Sequence, residues 1–411
     1  MILSQRSRAS AEARKNTESF FSMAATMTEM GKRPIDLMWG NPTAKPGPDF
    51  YRHLADTVAE LSQSNQGNPH AYPDNLGLLE TRRAVARHMC SRTQLNYTAD
   101  QIMMIAGCAN GLDVCFASLL EPGAHDEVIL FTPGFMEYHH YITLNQGVPV
   151  GVATTPDFQI NYHQLERAIT PRTRALVLNY PNNPTGTVLS AAALSELGDF
   201  LTAASTRIGR EIVVLEDSPY DQLWFEQPAP IFADYYPNSI YITSFSKTHG
   251  LAGERIGFLA LHPQCGGADE HTYLRLALAN NLRFRVVNAP TLMQRVITRL
   301  GCEASVNRDQ LIGRMRRLEA ALVAGGFKVV PSQGGFFTFA QLPEDFEDNQ
   351  TWQQAATTGE EPLLALPGAI FGGAAYQRYL RFSVTADDQN IARACSRIAQ
   401  ICVARHQPAS A

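Results

Sequence analysis

Along this chain of 411 residues, short apolar runs alternate with helix-like, amphipathic stretches. The runs lie within "QIMMIAGCANGLDVCFASLL", "DEVILFTPGFMEYHHYITL", "ALVLNYPNNPTG", "EIVVLEDSPYDQLWF" and "SIYITSFSKTHG". Each groups aliphatic or β-branched residues without polar alternation, the pattern of strands buried on both faces. Strand and helix in alternation predict a mostly parallel α/β sheet. Upstream, residues 5–30 read as an amphipathic helix, "PIDLMWGNP" as an extended segment ending in Gly40, Asn41 and Pro42, and residues 50–64 and 75–92 as helices. From about residue 290 the texture becomes α+β: a helical tract over 290–324, then "GFKVVPSQGGFFTFAQL", "LLALPGAIFGG", "YLRFSVT" and a final helix. A smaller second domain is expected there.

The chemically capable residues recur where the apolar runs end. Gly107 to Gly111 follow the first run, Phe135 and Tyr138 the second, Asn179 and Asn183 the third, Asp217 and Tyr220 the fourth, and Lys247 the fifth. Open parallel sheets bind ligands beyond the carboxyl ends of their strands, so five such loops predict one composite site.

Composition narrows what that site serves. An apolar fraction of 45% and a charged fraction of 18% describe a globular chain, and a formal charge of −5 supplies no basic face for nucleic acid or anionic lipid. A small-molecule partner is expected. Seven cysteines, odd in number and never spaced CxxC, indicate neither a disulfide framework nor a zinc site, so no metal is assigned. A reducing, cytoplasmic setting follows. No apolar run reaches the roughly eighteen residues of a membrane span. The start, "MILSQRSRASAEARK", is rich in Arg and Ser, but Glu12 and Glu18 interrupt any transit-peptide pattern.

The groups at the sheet edge suit one cofactor. Gly107, Cys108 and Ala109 precede a helix whose free N–H groups can cradle a phosphate, with Ser244 and Ser246 as donors and Arg255 as counter-charge. A lysine beside a phosphate cradle, Lys247, can form a Schiff base with the aldehyde of pyridoxal phosphate. Asp217 can keep the pyridine nitrogen protonated, Asn183 and Tyr220 can hydrogen-bond the phenolic oxygen, and Phe135 can stack on the ring.

"NYPNNPTG", "EDSPYDQ" and "SFSKTHGLAGERIGF" resemble the signature segments of the class I/II pyridoxal-phosphate aminotransferases, the fold-type-I family that includes aspartate and kynurenine aminotransferases. "YPDNLGLLETRRAVA", "EPGAHDEVILFTPGF", "GGFFTF" and "YLRFSVT" extend the resemblance from about residue 35 to 400. It implies a large domain with a mostly parallel seven-stranded sheet over 49–290, an N-terminal arm and part of the small domain over 1–48, and a C-terminal small α+β domain over 291–411. It makes Lys247 the Schiff-base lysine and proton shuttle, with Asp217 and Tyr220 beside it. Ser244, Arg255 and the backbone at Cys108 and Ala109 hold the phosphate, Arg381 clamps the substrate α-carboxylate, and Gly40 lends backbone opposite. Tyr72 matches a tyrosine that reaches the phosphate from a neighbouring subunit, so a homodimer with shared sites is implied. Two departures stand out: Ala106-Gly107-Cys108-Ala109 lacks the hydroxyl residue common in that loop, and the stacking ring is phenylalanine.

Other residues take plainer readings. Tyr138 reads as packing, Cys108 as a loop residue without a histidine partner, and Arg275, Arg283 and Arg285 as a solvated helix face. The expected reaction is transfer of an amino group between an L-amino acid and a 2-oxo acid by a ping-pong route. Because no side-chain arginine can be assigned, a non-acidic donor is expected, sensed by Trp39, Gly40, the Phe135 to Tyr141 stretch and neighbour-subunit loops. Elimination, replacement or cyclisation at the β or γ carbon uses the same cofactor residues and stays open. A ligand-sensing module fused to a DNA-binding domain is disfavoured, because the motifs begin near residue 35.

Overall fold

The computed structural model describes residues 2–42, 45–65 and 67–406. Its centre is a seven-stranded sheet in the order Ile102–Ile105, Gly257–Leu261, Ser239–Ser244, Val213–Asp217, Thr173–Leu178, Glu127–Thr132 and Val148–Ala153. Gly257–Leu261 runs antiparallel to both neighbours and the other pairings are parallel, so the remaining six strands point the same way.

Alternate residues of one strand enter different cores, which is why the runs show no polar alternation. Met103, Val128, Val177, Leu215, Ile240 and Leu259 face Leu112, Phe116 and Leu119 of the helix Cys108–Leu119 and Leu278 and Leu282 of the helix Gly267–Val286. On the other side, Met104, Tyr241 and Phe258 pack with Val85 and Met89 of the helix Leu79–Arg92, while Ile129, Leu176 and Val214 pack with Leu197 and Leu201 of the helix Ala191–Ile208. Each buried aliphatic side chain of this kind contributes roughly 1.5–3 kcal/mol.

A second, four-stranded antiparallel sheet runs Leu366–Pro367, Tyr379–Ser383, Phe337–Gln341, Lys328–Val329. Met315, Leu318 and Leu322 of the helix Arg308–Ala324 and Ile391, Ala394 and Ile398 of the helix Asp388–His406 share its core with Phe382 and Trp352. The N-terminal chain joins this part of the molecule. Ile35–Asp36 pairs in parallel with Leu363–Leu364, and Ser383 N–H donates to the Leu37 carbonyl at 2.8 Å. Trp39 and Gly40 are thereby brought to the carboxyl edge of the large sheet.

Several expectations are corrected at element level. The helix expected over 75–92 begins at Leu79. Before it, Asp74 Oδ1 accepts from Leu76 N–H, Gly77 takes φ +103°, and Leu78 N–H donates to Gln294 Oε1, so the chain turns instead of coiling. The tract expected as continuous over 290–324 is two helices, Thr291–Leu300 and Arg308–Ala324, because Gly301 leaves the first at φ +88°. Two sheet strands fell outside the apolar runs. Val148–Ala153 is an edge strand mostly open to solvent, and Gly257–Leu261 runs against the parallel pattern. Residues 5–30 do form a helix, Gln5–Glu29, as expected. No helix among the described residues is long and apolar enough to cross a membrane.

Candidate active site

The carboxyl ends of five of the six like-directed strands open on a cavity of about 580 Å³, and the second sheet closes it from the other side. Cys108, Ala109, Phe135, Asn183, Asp217, Tyr220, Ser244, Ser246, Lys247 and Arg255 line it from the large sheet's loops, and Gly40 and Arg381 line it from opposite. Of the residues singled out in the sequence, Gly107 lies just behind the wall and Tyr72 lies outside the cavity altogether.

Lys247 sits in a short helix, Phe245–Thr248, that directly continues the Ser239–Ser244 strand. Its Nζ donates to the Gly40 carbonyl at 2.5 Å, bridging the N-terminal segment and the sheet edge. Burial, with Arg381 and Arg255 nearby, lowers its pKa to about 8. About a tenth of the amine is therefore unprotonated at pH 7, far more than for an ordinary lysine.

Asp217 ends its strand fully enclosed. Tyr138 donates its hydroxyl to Oδ2 at 2.6 Å, whereas Oδ1 has no hydrogen-bond partner among the described residues. The Cys108 thiol, a weak donor, stands against the same carboxylate and against Ser244. Burial raises the Asp217 pKa to about 6, against the opposing effect of Tyr138 and Cys108. A buried carboxylate oxygen without a donor is costly, so a cationic N–H entering the cavity is what this group fits. A protonated pyridine nitrogen has that form.

The phosphate cradle is equally constrained. Gly107 precedes the helix Cys108–Leu119 at φ +87°, and any Cβ there would run into the Arg255 guanidinium. Arg255, itself at φ +53°, is held by donation to the carbonyls of Ala252 at 3.0 Å and Ala106 at 2.8 Å. A guanidinium thus lies against a helix N-terminus, two anion-attracting features side by side. The thiol of Cys108 points away from the cradle role expected of its backbone and toward Asp217. The reading of Cys108 as a loop residue is corrected, since it is the first residue of the helix.

Asn183 and Tyr220 act as a pair. Asn183 hydrogen-bonds the Tyr220 hydroxyl, and burial raises the tyrosine's pKa, so it stays protonated and able to donate. Asn183 Oδ1 also accepts from Arg381 Nη1 at 2.8 Å, and its own N–H donates to Asn179 Oδ1 at 2.9 Å. Arg381 is buried, donates to the Met38 carbonyl, and lies 4.1 Å from the Phe337 ring centroid, while its Nε has no hydrogen-bond partner among the described residues. Burial lowers its pKa to about 9. A carboxylate is the partner that such a desolvated, stacked guanidinium lacks.

Some placements were not legible beforehand. Tyr138 read as packing; it is packed edge-on against Phe135 with ring centroids 5.4 Å apart, and its hydroxyl also anchors Asp217. No spacing could show that, because the two residues are 79 positions apart. Arg285 is tied up with Asp113 and Asn145, and neither it nor Arg275 or Arg283 lines the cavity. Tyr72 stands 84% exposed in the loop between two helices.

Comparison with known proteins fits this geometry. Residues 35–398 match the family model described as aminotransferase class I and II. The chain is 30% identical over 350 residues to a probable N-acetyl-LL-diaminopimelate aminotransferase of Bacillus subtilis, a match covering 83% of this chain and 84% of the relative. The crystal structure of an amino transferase from Eubacterium rectale superposes with a TM-score of 0.87 at 26% identity, covering 99% of this chain and 100% of the other. Thermus thermophilus aspartate aminotransferase, as a single mutant, shares the fold with a TM-score of 0.82 at 24% identity, covering 98% of this chain and 100% of the other.

Proposed function

The chain belongs to the class I and II aminotransferase family, whose members use pyridoxal phosphate, and from that premise we propose that its own cavity residues carry out amino transfer with the roles that follow. The observation that carries the assignment is the Asp217 carboxylate, whose buried Oδ1 has no hydrogen-bond partner among the described residues, lining the same cavity as a lysine of lowered pKa.

When bound, pyridoxal phosphate supplies a carbonyl that takes the amino group and a protonated ring that withdraws electrons from the substrate Cα. Asp217 holds the proton on the ring nitrogen. Asn183 and Tyr220 donate to the ring oxygen, and Phe135 covers one face. The backbone of Gly107, Cys108 and Ala109, with Ser244, Ser246 and Arg255, holds the phosphate. Lys247 Nζ would hold the cofactor's carbonyl carbon, and its amine is the group placed to take the proton from the substrate Cα and to return it as general acid. Arg381 fixes the α-carboxylate, with Gly40 bounding the other side. Two half-reactions on one site give ping-pong kinetics.

The finer assignments have their own support. The seven-stranded sheet falls within 49–290, the four-stranded sheet falls within 291–411, and the pairing of Ile35–Asp36 with Leu363–Leu364 joins the segment before residue 48 to the latter part, which supports that division into domains. Tyr72, exposed here, is read as serving the site of a second copy in a homodimer. Seven cysteines outside any disulfide support a cytoplasmic setting. Within this protomer Lys247, Arg255 and Arg381 are the cations of the cavity, each with a use already, which supports a donor with a non-acidic side chain.

The test is a single half-reaction. Amino donor alone, added to holoenzyme, is expected to bleach the cofactor's visible band and release one 2-oxo acid per site. Ammonia with an unsaturated or cyclised product would instead assign β or γ chemistry.

A further inference from the structure

Five charged side chains line the cavity: Glu137, Asp217, Lys247, Arg255 and Arg381. Four of them have partners in the proposed function, on which this inference rests: ring nitrogen, carbonyl, phosphate and α-carboxylate. Glu137 is left over. Among the described residues its carboxylate makes no ion pair and no side-chain hydrogen bond.

Its position is nonetheless fixed. The Glu137 carbonyl accepts from His140 N–H at 3.0 Å and Tyr141 N–H at 3.2 Å, which makes the residue the start of the helix Tyr138–Leu144. The next residue, Tyr138, is tied to Asp217, and Phe135 packs on Tyr138. A half-buried carboxylate is therefore carried on a segment pinned to the floor of the site. Trp39, Met136, Tyr141 and Leu366 line the same cavity without a cofactor or carboxylate duty.

We infer that Glu137 is a specificity-determining residue that receives the cationic end of the donor's side chain, so that the amino donor is a basic α-amino acid. The wall suits such a side chain along its length. Met136 and Leu366 accept a methylene stem, and the rings of Trp39 and Tyr141 tolerate a cation as well as an apolar chain. A dicarboxylic donor would bring its second carboxylate against Glu137, and like-charge juxtaposition is an effective means of rejection.

The test compares three donors in the half-reaction of holoenzyme: lysine, norleucine as the same chain without its ammonium, and glutamate. Wild type is expected to favour lysine over norleucine in kcat/KM, with glutamate last. Glu137→Gln should lower the lysine-to-norleucine ratio about tenfold, the order expected for removing one charge from a polar contact. Glu137→Lys should raise the glutamate-to-norleucine ratio. The cofactor's visible spectrum and the norleucine reaction report whether each variant is folded and loaded. A wild type that prefers norleucine or glutamate, or a Glu137→Gln variant in which lysine and norleucine lose equally, overturns the inference while leaving amino transfer intact. Release of no 2-oxo acid from any donor overturns the proposed function itself, and this inference with it.

Discussion

Tyr138 donates to Asp217 Oδ2 at 2.6 Å and thereby holds a buried carboxylate whose other oxygen has no hydrogen-bond partner among the described residues. The hydrogen bond favours the ionised form, against burial, which favours the neutral one. Removing the donor in Tyr138→Phe should raise the Asp217 pKa above about 6. A hydrogen bond to a charged group is worth roughly 1.5–3 kcal/mol, or about one to two pH units. Cofactor binding that needs the carboxylate ionised should then weaken at a higher pH as the solution is acidified. Titration of cofactor affinity against pH, by fluorescence quenching, measures the shift, and an unmoved acid limb would show that Tyr138 only packs.

Lys247 predicts a stability effect of opposite sense to its catalytic one. Its folded pKa of about 8 lies below its ordinary value, so the unfolded chain binds more protons between about pH 8 and 10.5 and stability rises with pH across that window. Below pH 8 the burial cost is felt in full. In the cofactor-free protein, Lys247→Met should be relatively more stable at pH 7, and its advantage should shrink on approaching pH 10.5. Urea unfolding at both pH values reads this out. Turnover by the same variant should fall by at least about 10²–10⁴-fold, the usual range for a lost proton-transfer group.

Arg381→Lys replaces a planar guanidinium that is shared among Asn183, Met38 and the Phe337 face. An ammonium cannot reproduce the fork or the stacking. KM for amino donors is expected to rise roughly 30-fold or more, in line with the 2–5 kcal/mol cost of truncating a desolvated charge pair, with cofactor affinity much less affected. Equal losses of donor and cofactor binding would point to a structural role alone.

Gly107→Ala tests the cradle. The position needs φ +87° and room for Arg255, and alanine supplies neither. Stability should drop by more than about 1 kcal/mol. Phosphate or cofactor affinity should drop with it, whereas Gly209→Ala, at φ +68° with open space around it, should cost stability without changing affinity. Calorimetry of unfolding and of cofactor binding separates the two.

A shared site in a homodimer predicts complementation. Tyr72→Ala and Lys247→Ala, each impaired alone, should regain partial activity when unfolded together and reassembled. A mixed dimer holds one site with both wild-type residues, so about a quarter of all sites recover with random pairing. A mixture no more active than its parts would confine Tyr72 to its own subunit's surface.

Much of the site was visible along the chain because its chemistry is local to strand ends. Asp217 closes an apolar run, Asn183, Tyr220 and Lys247 each stand just beyond one, and a buried parallel sheet directs all of these ends to one edge. Helix limits were less legible where a side chain competed with the helix for backbone N–H groups, as Asp74 and Gln294 do ahead of Leu79. The edge strand Val148–Ala153 did not read as a strand because Pro149 and Gly151 interrupt its valines, residues that an edge position tolerates.

The sequence by itself determined the cofactor-directed residues and their order, since residue type and distance from a strand end follow the chain. Only the tertiary structure decided the pairings between distant elements: Tyr138 with Asp217, Lys247 with Gly40, Asn183 with Arg381, and Glu137 left as the cavity charge with no ion pair among the described residues. The first of these depends on how the loops of the large sheet pack together, and the Lys247–Gly40 and Asn183–Arg381 contacts on how the N-terminal segment and the second sheet pack over it. Such packing fixes burial, and burial sets both the pKa of each group and the partner it still lacks.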